Sequence, residues 1–363
     1  MTKINERILI CAGGTGGHIM PALSVAKKLQ NKGYEIHWLG TKKGLETKIL
    51  SRTQIQLHYI SVTGLRGKNI KMLFITLTRL CTTLFKTLRI LLQLKPKLVI
   101  GMGGFVSGPG GLAAWLLGIP LVIHEQNAIP GTTNKILSRL AQKTLESYPN
   151  SFPISAHAIL TGNPVKEELK SLLPPNIRLT VRKQSKLHLL ILGGSQGALA
   201  LNECIPKVCK ISNLEQIEIW HQTGQTHLSK TKVDYLDISV TAKIEPFIEN
   251  MEKAYEWADL VLCRSGALTV AELATTGIGS ILVPYPHAID NHQSENAKYL
   301  AKSGAALIVQ EKELTPEKLS TLLQVFLHKR ERLIVMAQAA HQLAMNSALD
   351  KIISQCLIQL NVT

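Results

Sequence analysis

The sequence predicts an α/β protein of two doubly wound parallel-sheet domains facing one another across a cleft. Three observations carry this expectation. Short apolar runs of strand length recur along the chain, and several end in a glycine-rich turn that feeds a helical pattern, as in βαβ units. The pattern restarts at Leu187 with a second strand, glycine loop and helix much like the first. A chain of 363 residues is also too long for one ordinary core. The reading gives an N-terminal domain over 1–165, a linker region over 166–186 and a C-terminal domain over 187–340. A last helix over 341–363 has the N-terminal domain as its candidate packing surface.

In the first domain, Arg7 to Ala12 reads as a strand and runs into Gly13-Gly14-Thr15-Gly16-Gly17-His18. A helix follows, with Ile19, Met20, Leu23, Ala26 and Leu29 at helical spacing, Pro21 in the first turn and Gly33 at the end. Glycines at a helix start let backbone approach a ligand closely. The dinucleotide fingerprint is not met: no third glycine falls in place, and the next strand, Glu35 to Leu39, ends without the acid that would hold a ribose. No GK[ST] occurs, which excludes a P-loop ATPase. His18 reads either as a cap or as a chemical group.

Lys71 to Lys95 is a long helix with Leu73, Leu77, Leu80, Leu84, Leu88 and Leu91 on one apolar stripe, widened by Phe74, Cys81, Phe85 and Leu92. Arg79, Lys86 and Arg89 interrupt it, each costing roughly 2.5–3.5 kcal/mol at mid-membrane, so a transmembrane helix is rejected. A core helix, or one whose second apolar side meets a membrane interface, fits instead. Leu98-Val99-Ile100 then opens a second glycine loop through Gly103 and Gly104. Leu121-Val122-Ile123 leads to His124-Glu125-Gln126-Asn127. Both clusters fall at strand carboxyl ends, where open α/β sheets bind ligands. For His124 and Glu125 a structural hydrogen-bonded pair and a binding role both stay open.

In the second domain, Leu187 to Leu192 precedes Gly193-Gly194-Ser195-Gln196-Gly197, a third glycine loop opening a helix. Leu260 to Cys263 reads as a buried parallel strand, Ser265-Gly266 as its turn, Ala267 to Thr276 as a helix stopped by Gly277, and Ile281 to Val283 as the next strand. The N-terminus of that helix favours an anion. Glu272, about one and a half turns in, can accept hydrogen bonds from vicinal hydroxyls such as those of a ribose. The plainer reading is a βαβ crossover with a solvated acid.

Composition narrows the class. Hydrophobic content of 45% and 26 glycines suit a soluble α/β protein. Six cysteines show no CxxC and no zinc spacing; Cys11 and Cys263, in apolar runs, read as buried reduced thiols of a cytoplasmic protein. The first apolar run ends in a glycine loop rather than a cleavage site, so no signal peptide is expected. Residues 1–163 hold 20 Lys and Arg against 5 Asp and Glu, whereas the remainder holds 21 against 20. The basic half points to an anionic surface or polymer.

GGTGGH (13–18), GMGGFVSGP (101–109), HEQN (124–127), GNPV (162–165), GGSQGA (193–198), CRSGALTVAE (263–272) and HQxxNA (292–297) occur in that order. Together they closely resemble the MurG family, bacterial glycosyltransferases of the two-domain, Rossmann-like GT-B architecture. The resemblance implies inverting transfer of N-acetylglucosamine from UDP-GlcNAc to the 4-hydroxyl of the muramoyl sugar of lipid I, forming lipid II for peptidoglycan. It implies donor or substrate contacts at Thr15, Gly16, Gly17, Asn127, Lys166, Ser195, Ile248 (by backbone, to uracil), Ala267, Leu268, Thr269, Val270, Ala271, Glu272 (ribose) and Gln293 (the sugar). Gly103 and Gly104 would form the acceptor loop, and Phe74, Phe85, Arg79, Lys86 and Arg89 would face the membrane. Lys166 stands where the family usually has Arg, and Phe105 where it commonly has Tyr.

Such a transfer needs a base, for which His18 is the first candidate and Glu125 the second, since an imidazole of pKa ~6.5 can take a proton at cytoplasmic pH. No DxD motif occurs, so no metal and no cofactor are expected; helix N–H groups would hold the leaving diphosphate. Expected partners are UDP-GlcNAc, undecaprenyl-linked lipid I and an anionic membrane surface at the cytoplasmic face of the inner membrane. The cell-wall and division machinery are candidate protein partners. A UDP-sugar-dependent GT-B transferase with a soluble acceptor is the alternative enzyme. A nucleic-acid-binding protein is not expected, because charge is its sole support and no recognition motif occurs.

Overall fold

Two all-parallel sheets organise the chain, in two compact units: Met1–Pro164 with Ser347–Thr363, and Val165–Asn346. The computed structural model describes residues 6–61, 70–182, 185–194, 196–212, 214–236, 238 and 240–361, apart from the side chains of residues 70–77 and 289.

The first unit begins with β1 (Arg7–Cys11), α1 (Gly16–Asn31), β2 (Glu35–Gly40), α2 (Leu45–Leu50) and β3 (Gln56–Tyr59). It continues through α3 (Ile70–Leu94), β4 (Leu98–Gly101), α4 (Ser107–Leu116), β5 (Leu121–Glu125), α5 (Thr132–Leu137), β6 (Lys143–Glu146) and β7 (Ile159–Leu160). The strand order is β3-β2-β1-β4-β5-β6-β7. Side chains alternate across the sheet, so Ile8 and Ile10 enter one core layer and Leu9 and Cys11 the other. Both faces are covered, which is why these strands read as unbroken apolar runs.

The second unit contains α6 (Pro175–Val181), β8 (Leu187–Leu192), α7 (Leu199–Ile211), β9 (Ile217–Gln222), α8 (Leu228–Asp234), β10 (Thr241–Glu245) and α9 (Met251–Trp257). Then come β11 (Leu260–Cys263), α10 (Ala267–Thr276), β12 (Gly279–Leu282), α11 (His292–Lys302), β13 (Ala306–Ile308), α12 (Pro316–His328) and α13 (Glu331–Gln342). Its order is β10-β9-β8-β11-β12-β13. Leu187, Leu189 and Ile191 of β8 pack with Leu201, Ile205 and Val208 of α7 and with Leu319, Leu323 and Phe326 of α12.

Two stretches differ from the sequence reading. Residues 166–186, expected as a linker, lie in the second unit and contribute α6. Arg178 of α6 is buried and donates from Nη2 to the carbonyls of Thr276 (3.0 Å) and Gly277 (2.9 Å), closing the carboxyl end of α10 with a cation. The chain after α13 forms α14 (Ala348–Asn361), whose Ile352, Ile353 and Cys356 complete a core layer of the first unit beside α1. Along α3 the leucine stripe is only part of the buried face. Leu80 is exposed, and Thr83 and Thr87 are buried with Leu91 and Leu94 because their hydroxyls bond the carbonyls of Ser61 and Thr83. The side chains of Leu73, Phe74 and Leu77 lie outside the described residues.

Candidate active site

In both sheets the strand order reverses once, between β1 and β4 and between β8 and β11. Ligands of open α/β sheets bind at the carboxyl edge of such a reversal. All four glycine- or serine-bearing turns singled out in the sequence lead off from these four strands.

In the first unit, α1 starts at Gly16 with Thr15 as an extended N-cap that makes no side-chain cap. The turn after β4 presses against it. A Cβ on Gly104 (φ +79°) would lie 2.2 Å from the Gly13 carbonyl oxygen, so the two loops touch backbone to backbone. A Cβ on Gly103 (φ +91°) would lie 2.5 Å from His18 Cδ2 and 3.0 Å from its Nε2. The imidazole therefore rests on bare backbone, with Nδ1 3.4 Å from Thr15 Oγ1. Ser107 Oγ, 2.8 Å from the carbonyls of both Cys11 and Gly103, ties the roots of the two loops together. Phe105 is 55% exposed.

Glu125, the second candidate base, is held by several donors. It is buried, and its Oε1 accepts from Asn127 N (2.9 Å) and Nδ2 (3.1 Å). Its Oε2 accepts from Gly131 N (3.1 Å) and Asn134 Nδ2 (2.8 Å). Four donors on one carboxylate make it the holder of the Asn127 loop. His124 is buried beside it, 3.0 Å from the Gly162 carbonyl through Nε2 and 2.9 Å from Gln126 Nε2 through Nδ1. Burial pulls its imidazole down to about 4, so it is neutral, donating from Nε2 and accepting at Nδ1.

In the second unit, α10 follows Ser265 and Gly266, and its N-cap Gly266 supplies no side-chain cap. The helical ladder begins with Val270 N–H on Gly266 O. Ser265 Oγ donates to the Gln293 carbonyl (2.8 Å), and Gln293 Oε1 accepts from Tyr285 N (2.9 Å). Ala267 and Val270 are buried, whereas Leu268, Thr269, Ala271 and Glu272 are partly accessible. Glu272 accepts at Oε2 from the hydroxyl of Tyr255 (2.9 Å), itself fully buried on α9. Burial pushes the Glu272 carboxyl up to about 7, against the opposing pull of the Tyr255 hydroxyl and the Lys166 charge.

Two expected donor contacts need comment. Ser195 lies outside the described residues. Ile248, 2% exposed, has its N–H bonded to Gln222 Oε1 at 3.0 Å. Among the described residues no cluster of three or more His, Cys, Asp or Glu could hold a metal ion. Sequence reading gave no sign of Tyr255 or Gln222, because each matters only through a contact made across the fold. Glu46 was missed as well: its Oε1 takes Thr41 N (2.7 Å) and Oγ1 (2.8 Å) in the interior behind Gly13.

Residues 8–146 match the glycosyltransferase family 28 N-terminal domain and residues 188–352 its C-terminal domain. The UDP-N-acetylglucosamine–N-acetylmuramyl-(pentapeptide) pyrophosphoryl-undecaprenol N-acetylglucosamine transferase of Coxiella burnetii (strain RSA 493 / Nine Mile phase I) is 46% identical over 352 residues, 97% of this chain and 98% of that protein. The enzyme of that name from Nitrosococcus oceani is 47% identical over 352 residues, with the same coverage of each chain. The crystal structure of Acinetobacter baumannii MurG superposes with a TM-score of 0.84 at 40% identity, covering 97% of this chain and 99% of that one.

The chain belongs to the MurG family. Its fold is the GT-B class of two parallel-sheet α/β domains. A calicheamicin glycosyltransferase, 14% identical with a TM-score of 0.68 over 99% of each chain, shares that fold with the MurG family. So does a UDP-GlcNAc 2-epimerase from Neisseria meningitidis, 14% identical with a TM-score of 0.64 over 98% of this chain and all of that one.

Proposed function

We infer that this chain transfers N-acetylglucosamine from UDP-GlcNAc to the 4-hydroxyl of lipid I, giving lipid II for peptidoglycan synthesis. The observation that carries the site assignment is the pair of uncapped helix N-termini at the two sheet reversals, α1 bearing His18 and α10 bearing Glu272.

The steps follow from those positions. His18 takes the proton of the acceptor hydroxyl as its oxygen attacks the anomeric carbon. The bond from that carbon to the diphosphate oxygen breaks, and UDP leaves with the electron pair, so the configuration inverts. The first-turn N–H groups of α10 (Ala267, Leu268, Thr269) and the loop of Gly193, Gly194 and Ser195 receive the growing charge of the diphosphate. Glu272 accepts the ribose hydroxyls, the Ile248 backbone meets the uracil, and Gln293 meets the sugar. Lys166 adds a cation, as a point charge rather than the flat fork of Arg. Asn127, held by Glu125, and the loop of Gly103 and Gly104 serve the acceptor side.

The enzyme sits on the cytoplasmic face of the inner membrane through α3 and its surroundings. Phe85 (72% exposed) and Leu92 (58%) lie on that helix with exposed Arg79, Lys86 and Arg89, and α4, packed against α3, exposes Trp115 and Leu116. No described helix is long and apolar enough to cross a membrane. Anionic lipid attracts each nearby Lys or Arg by about 1 kcal/mol, which suits a peripheral attachment weakened by salt. The test is transfer of labelled GlcNAc to lipid I in vesicles containing anionic lipid. Formation of the disaccharide lipid, with sedimentation on vesicles that falls as salt rises, is the expected result. Transfer only to soluble acceptors, with no sedimentation, overturns both the acceptor and the membrane assignment.

A further inference from the structure

Glu272 has one hydrogen-bonding side-chain partner among the described residues, and that partner has no accessible surface of its own. Tyr255 sits on α9, 0% exposed, and its hydroxyl reaches Glu272 Oε2 at 2.9 Å. Burial and the facing carboxylate hold the Tyr255 hydroxyl well above its ordinary range, so it stays protonated and always donates. The other titratable group that acts on this carboxyl is Lys166, which favours its charged form; the carboxyl in turn helps burial keep the Cys263 thiol of β11 protonated. A buried tyrosine paired to a half-buried carboxylate has a directional consequence. Oε2 is engaged by Tyr255, and a vicinal diol needs acceptors on this carboxylate rather than a proton.

We propose that Tyr255 is a positioning residue for donor binding: its hydroxyl fixes the rotamer of Glu272 and keeps the carboxylate an acceptor for the vicinal hydroxyls of a nucleoside diphosphate sugar. This rests on reading Glu272 as the ribose contact. Tyr255 touches no substrate and acts through Glu272 alone. Because the carboxyl stands near 7, donor affinity in the intact protein rises as pH goes from 6 to 8, and removal of the Tyr255 hydroxyl moves that rise to higher pH.

The experiment is UDP-GlcNAc binding and steady-state transfer by the wild type and Tyr255→Phe between pH 6 and 9. Tyr255→Phe is expected to raise the donor KM about tenfold at pH 7, the scale of one lost hydrogen bond to a charged group, with kcat within about twofold of wild type. The KM–pH curve should shift upward, with most of the affinity recovered at pH 9. Glu272→Gln should show weak donor binding with no pH dependence over this range. A Tyr255→Phe profile superimposable on wild type overturns the proposal, as does a uniform loss at every pH. Should the wild type itself fail to bind UDP-GlcNAc at pH 8, the donor reading falls instead. Carboxyl carbon NMR of Glu272 in the two proteins gives the same shift directly, even if the variant loses stability.

Discussion

Glu125 closes β5 in the first unit and Glu272 sits in the helix after β11 in the second, and the two acids are held in opposite ways. Glu125 accepts four hydrogen bonds, from Asn127, Gly131 and Asn134, and so ties β5 to the loop and helix that follow it. Glu272 accepts one, from Tyr255, and burial without enough donors lifts its carboxyl to about 7. The number of donors on a shielded carboxylate separates an acid tied into its surroundings from one whose carboxyl stays raised. Two histidines of the first unit differ too: burial holds His124 neutral among the Gly162 carbonyl, Gln126 and Ser147, whereas His18 lies against Gly103 with Thr15 Oγ1 3.4 Å from its Nδ1.

The sharpest break in this comparison is His18→Ala. Loss of the base is expected to cost ~10²–10⁴ in kcat with the thermal midpoint little changed. Wild-type turnover in that variant would return Glu125 to the base role. Next comes Glu125→Ala, which strands the buried Asn134 amide and frees the part-buried donors of Asn127 and Gly131; denaturant titration should show a loss of about 2 kcal/mol. An unaltered midpoint would mean that the loop does not depend on this carboxylate.

Glu272→Gln should behave in the reverse sense. Donor affinity measured by calorimetry at pH 8 should drop roughly tenfold, while stability rises on the order of 1 kcal/mol. The sign follows from the raised carboxyl: its stabilising protonated form is complete below about pH 4.5 and is lost as pH climbs through about 7. The gain from the substitution should therefore vanish in acid, and a stability loss at pH 8 would contradict the picture. Smallest is Gly103→Ala, which puts a Cβ at φ +91° against the His18 ring. It should cost about 1 kcal/mol of stability and depress kcat more than the donor KM. An equal fall in both would place the damage elsewhere.

Much of the fold was legible before any coordinates. The strand Leu260–Cys263, the helix Ala267–Thr276 and its stop at Gly277 follow from local rules: a short apolar run, a small-residue turn and a left-handed cap at φ +59°. The glycine loops could be found because close backbone approach leaves a compositional mark. Two of the shortfalls come from contact between residues far apart in sequence. Tyr255 lies 17 positions before Glu272, and Arg178 reaches carbonyls 98 and 99 positions away, so the stretch around it looked like spacer. Thr83 and Thr87 looked polar, yet local carbonyls let them go inside. For Glu125 the residue type was visible and the four donors were not.

The path of the chain has a consequence for its synthesis. The second unit is spliced into the first, and α14, which carries Ile352, Ile353 and Cys356 into the earlier core, leaves the ribosome only after the whole of the second unit. The amino-terminal half therefore waits, with one wall of its interior missing, while the whole of the later half is made. Nascent chains stopped before Ser347 should be cut readily by protease within residues 6–61 and yet protected around β8 and β11, the opposite of the usual order in which front-end domains mature first.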